Sequence, residues 1–301
     1  MIINIKRLPT RDIREKLPIT RKRLWEVNIS SFLRVVILKV SKNYEAIYYK
    51  HIAGSQFARK SGLCAANHFI DLPFLRLSII AWRGVEATKE FNKAKNKNKL
   101  DLINNLITYL YRLNSQNQTT ISENLENYRY LNLFINELGE LNKEKTVKRK
   151  IKYLFNKPFL VVVGPGLEDP VLSNFTIHKN KLCLVDLDNF SEKVNFFYEV
   201  GFLLADLEID HEMKKFELKD LWKSYQTERG IALKGNDKPM LRLGYISRYA
   251  ILFLNIRKNP KFNYGYDDDK VFDYIYYSLF ITPYEAFLTK SAHIFIAFPK
   301  F

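Results

Sequence analysis

Two short apolar runs constrain this chain most: FLVVV at 159–163 and KLCLV at 181–185, separated by the loop GPGLEDPVLSNFTIHKN. Runs of this length rich in β-branched residues and bounded by turn residues predict buried strands, because they are too short to be core helices. The pair therefore reads as a hairpin. It sits inside a stretch whose other segments follow the helical period. A chain with this pattern needs a scaffold that holds one buried hairpin among helices.

The region before the hairpin divides in two. RLWEVNI, LRVVILKV and YEAIYYKHI read as three successive strands of an antiparallel sheet. GSQFARKSGLCAANHF follows as a short helix that stops before Pro73, and FLRLSIIAW is another buried strand. Near Gly84 the character changes. DLINNLITYLYRLN places Leu102, Leu106, Tyr109, Leu110 and Leu113 on one helical face. ENYRYLNLFINELGEL and KEKTVKRKIKYLF continue as helices, and four more helical segments follow Ser191. The low-complexity run NKAKNKNKLD reads as a loop, and the aromatic runs FDYIYYSLF and HIFIAF read as core. The predicted fold class is α+β with two lobes: a small β-rich lobe over 1–83, then a larger helical lobe over 84–301 carrying the hairpin at 159–190. Two lobes form a cleft, where small-molecule sites concentrate.

The 301 residues are 47% hydrophobic and 27% charged, which fits a globular chain and excludes wholesale disorder. No apolar run reaches the roughly 18 residues that span a bilayer. The segment after Met1, IINIKRLPTRDIREK, lacks the apolar centre of a secretory signal. Cys64 and Cys183 are too few for a disulfide framework or a cysteine metal site, and a reducing, cytoplasmic setting is expected. The formal charge of +16 is spread along the chain, as either a solvated basic surface or a face for an anionic membrane, an acidic partner or nucleic acid. No recognised nucleic-acid reading module accompanies it. The five histidines, His51, His68, His178, His211 and His293, show no metal-ligand spacing and read as structural.

The hairpin carries the chemistry. Magnesium takes hard oxygen ligands, uses only one or two carboxylates, and leaves room for substrate phosphates. Asn174 and Asp186 offer such oxygens from the two ends of the hairpin, and Asp169 is then placed to face an incoming hydroxyl. That division of labour suits phosphoryl transfer, where positioning and charge neutralisation supply most of the catalysis. The competing reading makes Asp169 and Asn174 ordinary turn residues, since Asp-Pro and Asn favour turns. Asp186 at the end of an apolar strand is costly to bury without a partner, which points to metal or phosphate work.

The order D-P-V-L-S-N, a short strand, the turn HKNK, then LCLVDLD resembles the catalytic loop and metal-binding strand of the aminoglycoside phosphotransferase and choline kinase group, within the protein-kinase-like fold. The resemblance implies a catalytic base at Asp169, magnesium ligands at Asn174 and Asp186, and a second acid at Asp188. It implies an ATP-binding strand lysine at Lys50, with Lys39 as competitor, and a nucleotide-covering turn at Ser30 and Ser31. It further implies ATP and Mg2+ as cofactors, and a nucleotide and a small-molecule or sugar acceptor as partners. Glu199 lies where some related enzymes keep an acid that buttresses the catalytic loop, although it reads more simply as a surface glutamate. The sequence departs from the group at three points. Leu167 replaces the His two residues before Asp169, no Gly-rich turn is present, and the helix after Lys50 offers Gln56 in place of a glutamate. Two functional readings follow: a phosphotransferase acting on a hydroxyl, and a catalytically reduced pseudokinase-like binding protein. A nucleic-acid-associated protein using the basic segment 143–152 is the third.

Overall fold

The structure, a computed structural model, describes residues 4–7, 22–30, 33–40, 44–75, 77–125, 128–139, 142–155, 159–258 and 268–280. The chain forms two compact units. One comprises Met1–Thr119 with Val162–Glu199, the other Thr120–Val161 with Val200–Phe301. The hairpin, expected with the helical part, lies from Val162 onward in the first unit.

The first unit opens with strands β1 (Asn4–Arg7), β2 (Lys22–Ser30) and β3 (Leu33–Val40), followed by helix α1 (Tyr44–Lys60). After α1 come β4 (Cys64–Ala65), β5 (Asn67–Leu72), β6 (Leu77–Arg83), β7 (Val85–Glu86), α2 (Ala87–Lys93) and α3 (Asn96–Asn114). Strands β1, β2, β3, β6 and β5 form one sheet in that spatial order, with every neighbouring pair antiparallel. The β-branched run of β3 sits at its centre, where both edges of the strand are paired.

Three sequence expectations fail here. GSQFARKSGLCAANHF is helical only as far as Lys60 and then supplies strand β4 and the start of β5, because Gly62, with positive φ, turns the chain out of the helix. YEAIYYKHI is not a third strand but the first half of α1. Its alternating aromatics mimic a strand, yet over 49–60, the part of α1 whose burial is described, the buried residues are His51, Gly54, Ser55 and Ala58, which recur at helical spacing. The NKAKNKNKLD run is not a loop either, because α3 begins at Asn96 within it. Helix α3 buries Ile103, Leu106, Ile107, Tyr109, Leu110 and Leu113, close to the expected face, while Leu102 is only half-buried.

The hairpin is real. Strand β9 (Phe159–Leu167) runs into a bend, a single 3-10 turn at Leu172–Asn174, then β10 (Phe175–His178) and β11 (Lys181–Leu184). Lys179 and Asn180 make the tight turn with positive φ at both positions, the geometry a two-residue antiparallel hairpin needs. Strand β11 also pairs in parallel with β4, and β10 pairs antiparallel with β7, so the hairpin is the middle of a four-stranded sheet. Beneath it, the Tyr109 ring meets Phe175 edge-on at 5.4 Å and its hydroxyl donates to the Cys64 carbonyl at 2.6 Å. In the β4–β11 ladder Cys64 stands opposite Cys183, with Cα atoms 4.4 Å apart, and a disulfide joins them. Too few cysteines for a framework thus still form one bridge, across a sequence separation of 119 that spacing cannot reveal.

The second unit contains α4 (Arg129–Glu137), α5 (Asn142–Phe155), α7 (Lys215–Arg229), α8 (Asp237–Lys258) and α9 (Asp268–Phe280). Strand β8 (Thr119–Glu123) and helix α6 (Phe196–His211) cross between the units, as does β9. Phe134 of α4 packs edge-on against Phe253 of α8 at 5.3 Å, and Tyr274 of α9 stacks on Tyr249 at 4.3 Å. Phe272, Ile275 and Leu279 of the FDYIYYSLF run are core, as expected, while HIFIAF lies outside the described residues. Among the described residues no helix is long and apolar enough to cross a membrane.

A buried Arg248–Asp206 ion pair, joined at its more open side by Asp210, lies in this unit. Arg248 donates from Nε to Asp206 and from Nη2 to Asp210, each at 2.9 Å. Burial alone pushes the Asp206 carboxyl up and the Arg248 guanidinium down. The facing carboxylates more than offset the loss for Arg248 and keep it charged. Arg248→Met leaves two acids without their cation. It is expected to destabilise the fold by about 3–5 kcal/mol, read as a lower denaturant midpoint with unchanged slope.

Candidate active site

The loop between β9 and β10 is held by amides. Asn174, buried at the end of the 3-10 turn, donates from Nδ2 to the Asp169 carbonyl at 2.9 Å. This bond orients the Asn174 amide with its nitrogen toward the loop backbone. The Asn174 carbonyl accepts from Val185 N–H at 2.9 Å and Asp186 N–H at 3.3 Å, so the loop and the end of β11 are joined directly. Asn189, also buried, donates from Nδ2 to Asp169 Oδ2 at 2.5 Å, and its carbonyl accepts from Glu168 N–H at 2.9 Å. Sequence reasoning misses Asn189, and only its place in DLDN beside the two acids hints at a role. Asp169, Asn174 and Asp186 thus form one hydrogen-bonded cluster, with Asn189 as the link that orients the Asp169 carboxylate.

Asp186 corrects an expectation. It is exposed, so no burial cost demands a partner. Its Oδ1 accepts from Asp188 N–H at 3.2 Å, which turns the carboxylate along the loop. The buried acid is Glu199 of α6, which the sequence suggests as a surface residue. It is 0% exposed, its Oε1 accepts from Leu167 N–H at 2.7 Å, and Oε2 has no hydrogen-bond partner among the described residues. Burial pushes its carboxyl well above the ordinary range, and the Leu167 N–H pulls it back only in part. Glycine at 166 makes this approach possible, since a Cβ there would lie 2.6–2.8 Å from the Glu199 carboxyl. Glu199 therefore props the strand that leads into the loop carrying Asp169. Strand β12 (Phe190–Val194) closes the other side, pairing Phe190 with Leu167 and Ser191 with Gly166.

The expected nucleotide residues fare differently. Lys50 is half-buried on helix α1 and so cannot be the lysine of the third strand. The physical source of the difference is β1, which is only four residues long and has no strand pattern of its own, so a count from sequence places every later strand one too low. The third strand is β3, where Lys39 stands opposite Arg23 of β2 and Leu77 of β6. Ser30 ends β2 opposite Leu33, at the connection between the second and third strands, and Ser31 lies outside the described residues. His51, expected to be structural, meets Asp188: its Nε2 lies 2.6 Å from Asp188 Oδ1. No spacing rule reveals a pair 137 residues apart.

Two outcomes test this geometry. Because the folded state holds Glu199 protonated where the unfolded chain has lost the proton, its contribution is full below about pH 4.5. It is lost as pH rises through the raised value. Glu199→Gln, which keeps the acceptor for Leu167, is expected to gain stability relative to wild type as pH climbs from 4.5 to neutrality, measured by melting temperature across that range. Asn189→Ala removes the bond to Asp169 and is expected to lower unfolding free energy by about 1–3 kcal/mol in urea.

No protein-family model matches the sequence, and no curated protein matches it. Solved structures do. Amicoumacin kinase hAmiN, determined in complex with AMP-PNP, Ca2+ and Ami, aligns over 90% of this chain and 87% of its own, at 10% identity and a TM-score of 0.61. A thermostable mutant of aminoglycoside phosphotransferase APH(4)-Ia, in apo form, aligns over 92% and 95% at 10% identity, TM-score 0.57. Choline kinase from Cryptosporidium parvum Iowa II aligns over 92% and 88% at 12% identity, TM-score 0.53. At these identities the likeness is one of backbone, and what it establishes is that the chain has the protein-kinase-like fold of the aminoglycoside phosphotransferases and choline kinase.

Proposed function

We propose that the chain is an ATP- and magnesium-dependent phosphotransferase acting on a hydroxyl of a small molecule or sugar. The observation that carries this reading is the cluster in which Asn174 and Asn189 tie Asp169 to the end of β11 at Asp186. The donor set fits magnesium: Asp186 offers an exposed carboxylate, and Asn174, with its nitrogen committed to the loop, offers its amide oxygen. The bound ion supplies neutralisation of phosphate charge. The chain supplies position. Asp169 faces the acceptor hydroxyl and takes its proton, and Asn189 fixes the carboxylate for that task. Glu199 and Gly166 hold the strand that aims the loop. Lys39, as the third-strand lysine, is assigned to the nucleotide phosphates in place of Lys50.

The acceptor is taken to be neutral or anionic, since the net charge of +16 disfavours the cationic compounds named for several neighbours. A second reading, nucleotide binding without turnover, is favoured by Leu167, which stands two residues before Asp169 where the kinase group carries a histidine. Calorimetry of ATP binding with Mg2+ tests the reading on wild type and Asp186→Ala. Magnesium-dependent binding that falls about tenfold or more in the variant is expected. Absence of binding at millimolar nucleotide overturns it. Phosphate transfer to acceptors from a panel of alcohols and sugars then separates the enzyme from the binding protein.

A further inference from the structure

We propose that His51, Asp186 and Asp188 form a divalent-cation site with one nitrogen and two carboxylate ligands, and that this site prefers Mn2+ to Mg2+. The inference rests on the reading of Asp186 as an ion ligand but adds a ligand from a different element, α1. The ligand atoms of all three residues lie within 4.8 Å of one another. An ion bound at about 2.1 Å holds opposed ligands roughly 4 Å apart, so the three groups are within reach of one ion that displaces the 2.6 Å hydrogen bond between His51 Nε2 and Asp188 Oδ1. Among the described residues no other group of three such side chains meets this test.

The place of His51 is set by packing. Gly54, one turn along the same face of α1, lies so close to the loop after β11 that a Cβ would come 2.5 Å from Leu187 Cδ2 and 2.8 Å from the Phe190 ring. Phe57 stacks on Phe190 with ring centres 5.8 Å apart. These contacts seat α1 on the loop segment that carries Asp186 and Asp188, and His51 is delivered to Asp188 as a result. Two of the three ligands are shielded: His51 is 4% exposed and the Asp188 side chain 10%. The third, Asp186, is open to solvent and held by the Asp188 N–H. Two carboxylates drawn together repel, and the imidazole beside Asp188 offsets part of that repulsion. A dication among the three offsets more.

The plainer account makes His51 and Asp188 a hydrogen-bonded pair that pins α1 and nothing else. Ligand softness separates the two accounts. Magnesium favours an all-oxygen shell, whereas an imidazole nitrogen favours first-row transition metals. An N,O,O set therefore shifts preference toward Mn2+, and a simple tether shifts nothing.

The experiment titrates Mn2+ into the full chain without nucleotide, reads free Mn2+ by electron paramagnetic resonance, and repeats the titration with Mg2+ as competitor. Wild type is expected to bind one Mn2+ more tightly than Mg2+ and to show nitrogen hyperfine coupling in the pulsed spectrum. His51→Asn and Asp188→Asn are each expected to weaken Mn2+ by about tenfold or more, and His51→Asn to abolish the coupling. No Mn2+ binding without nucleotide, or bound Mn2+ without nitrogen coupling, overturns the proposal. The coupling is read on wild type, so the test does not depend on the variants folding. Calorimetry with Mg2+ and ATP on the same preparation separates the two proposals. Nucleotide binding without nitrogen coupling leaves the phosphotransferase reading standing and this one overturned. Coupling without nucleotide binding does the reverse.

Discussion

Where β9 ends, a carboxyl group shut away from water accepts the N–H of Leu167, and the loop that follows takes its direction from that contact. A buried acid with one hydrogen bond among the described residues is an expensive prop, and burial favours its protonated form. The arrangement nevertheless fixes the strand at the residue two before Asp169. It needs glycine at 166, because the acid occupies the space a side chain would fill. Helix α6 and strand β9 are thus joined through the Glu199–Leu167 hydrogen bond, and the loop that carries Asp169 starts from a fixed point.

From there the loop is stitched by backbone and amide groups, not by charge. Asn174 and Asn189 each use both ends of the residue, side-chain nitrogen and main-chain carbonyl. The result couples the Asp169 carboxylate to the segment that carries Asp186. Asp169 and Asp186 flank opposite ends of the hairpin, and the Asn174 amide and backbone link the two segments. Helix α1 meets the segment after β11 through Gly54, His51 and Phe57. The loop after β11 is therefore a meeting point for elements drawn from residues 44–60 and 159–194.

Local pattern served well wherever one period dominated. The strands β2, β3, β6, β9 and β11 and all helices after β12 stand where apolar spacing put them, since burial of one face is a local property of sequence. It failed at YEAIYYKHI, where aromatic alternation and helical spacing coexist, and only packing of His51, Gly54 and Ala58 on neighbouring elements decides for helix. It failed again at β1, whose residues NIKR gain strand character only by pairing with β2. That miss moved the strand lysine from Lys39 to Lys50.

The sequence alone determined the hairpin, its two strands and the order of Asp169, Asn174 and Asp186, because these lie within one short stretch and obey local rules of burial and turn chemistry. Tertiary structure decided everything that depends on partners far along the chain. It buried Glu199 behind Leu167, exposed Asp186, set His51 against Asp188 across 137 residues and joined Cys64 to Cys183 across 119. Sequence spacing carries no record of such contacts. They arise when separate elements bury their faces against one another, and the distance between two side chains is then fixed by packing.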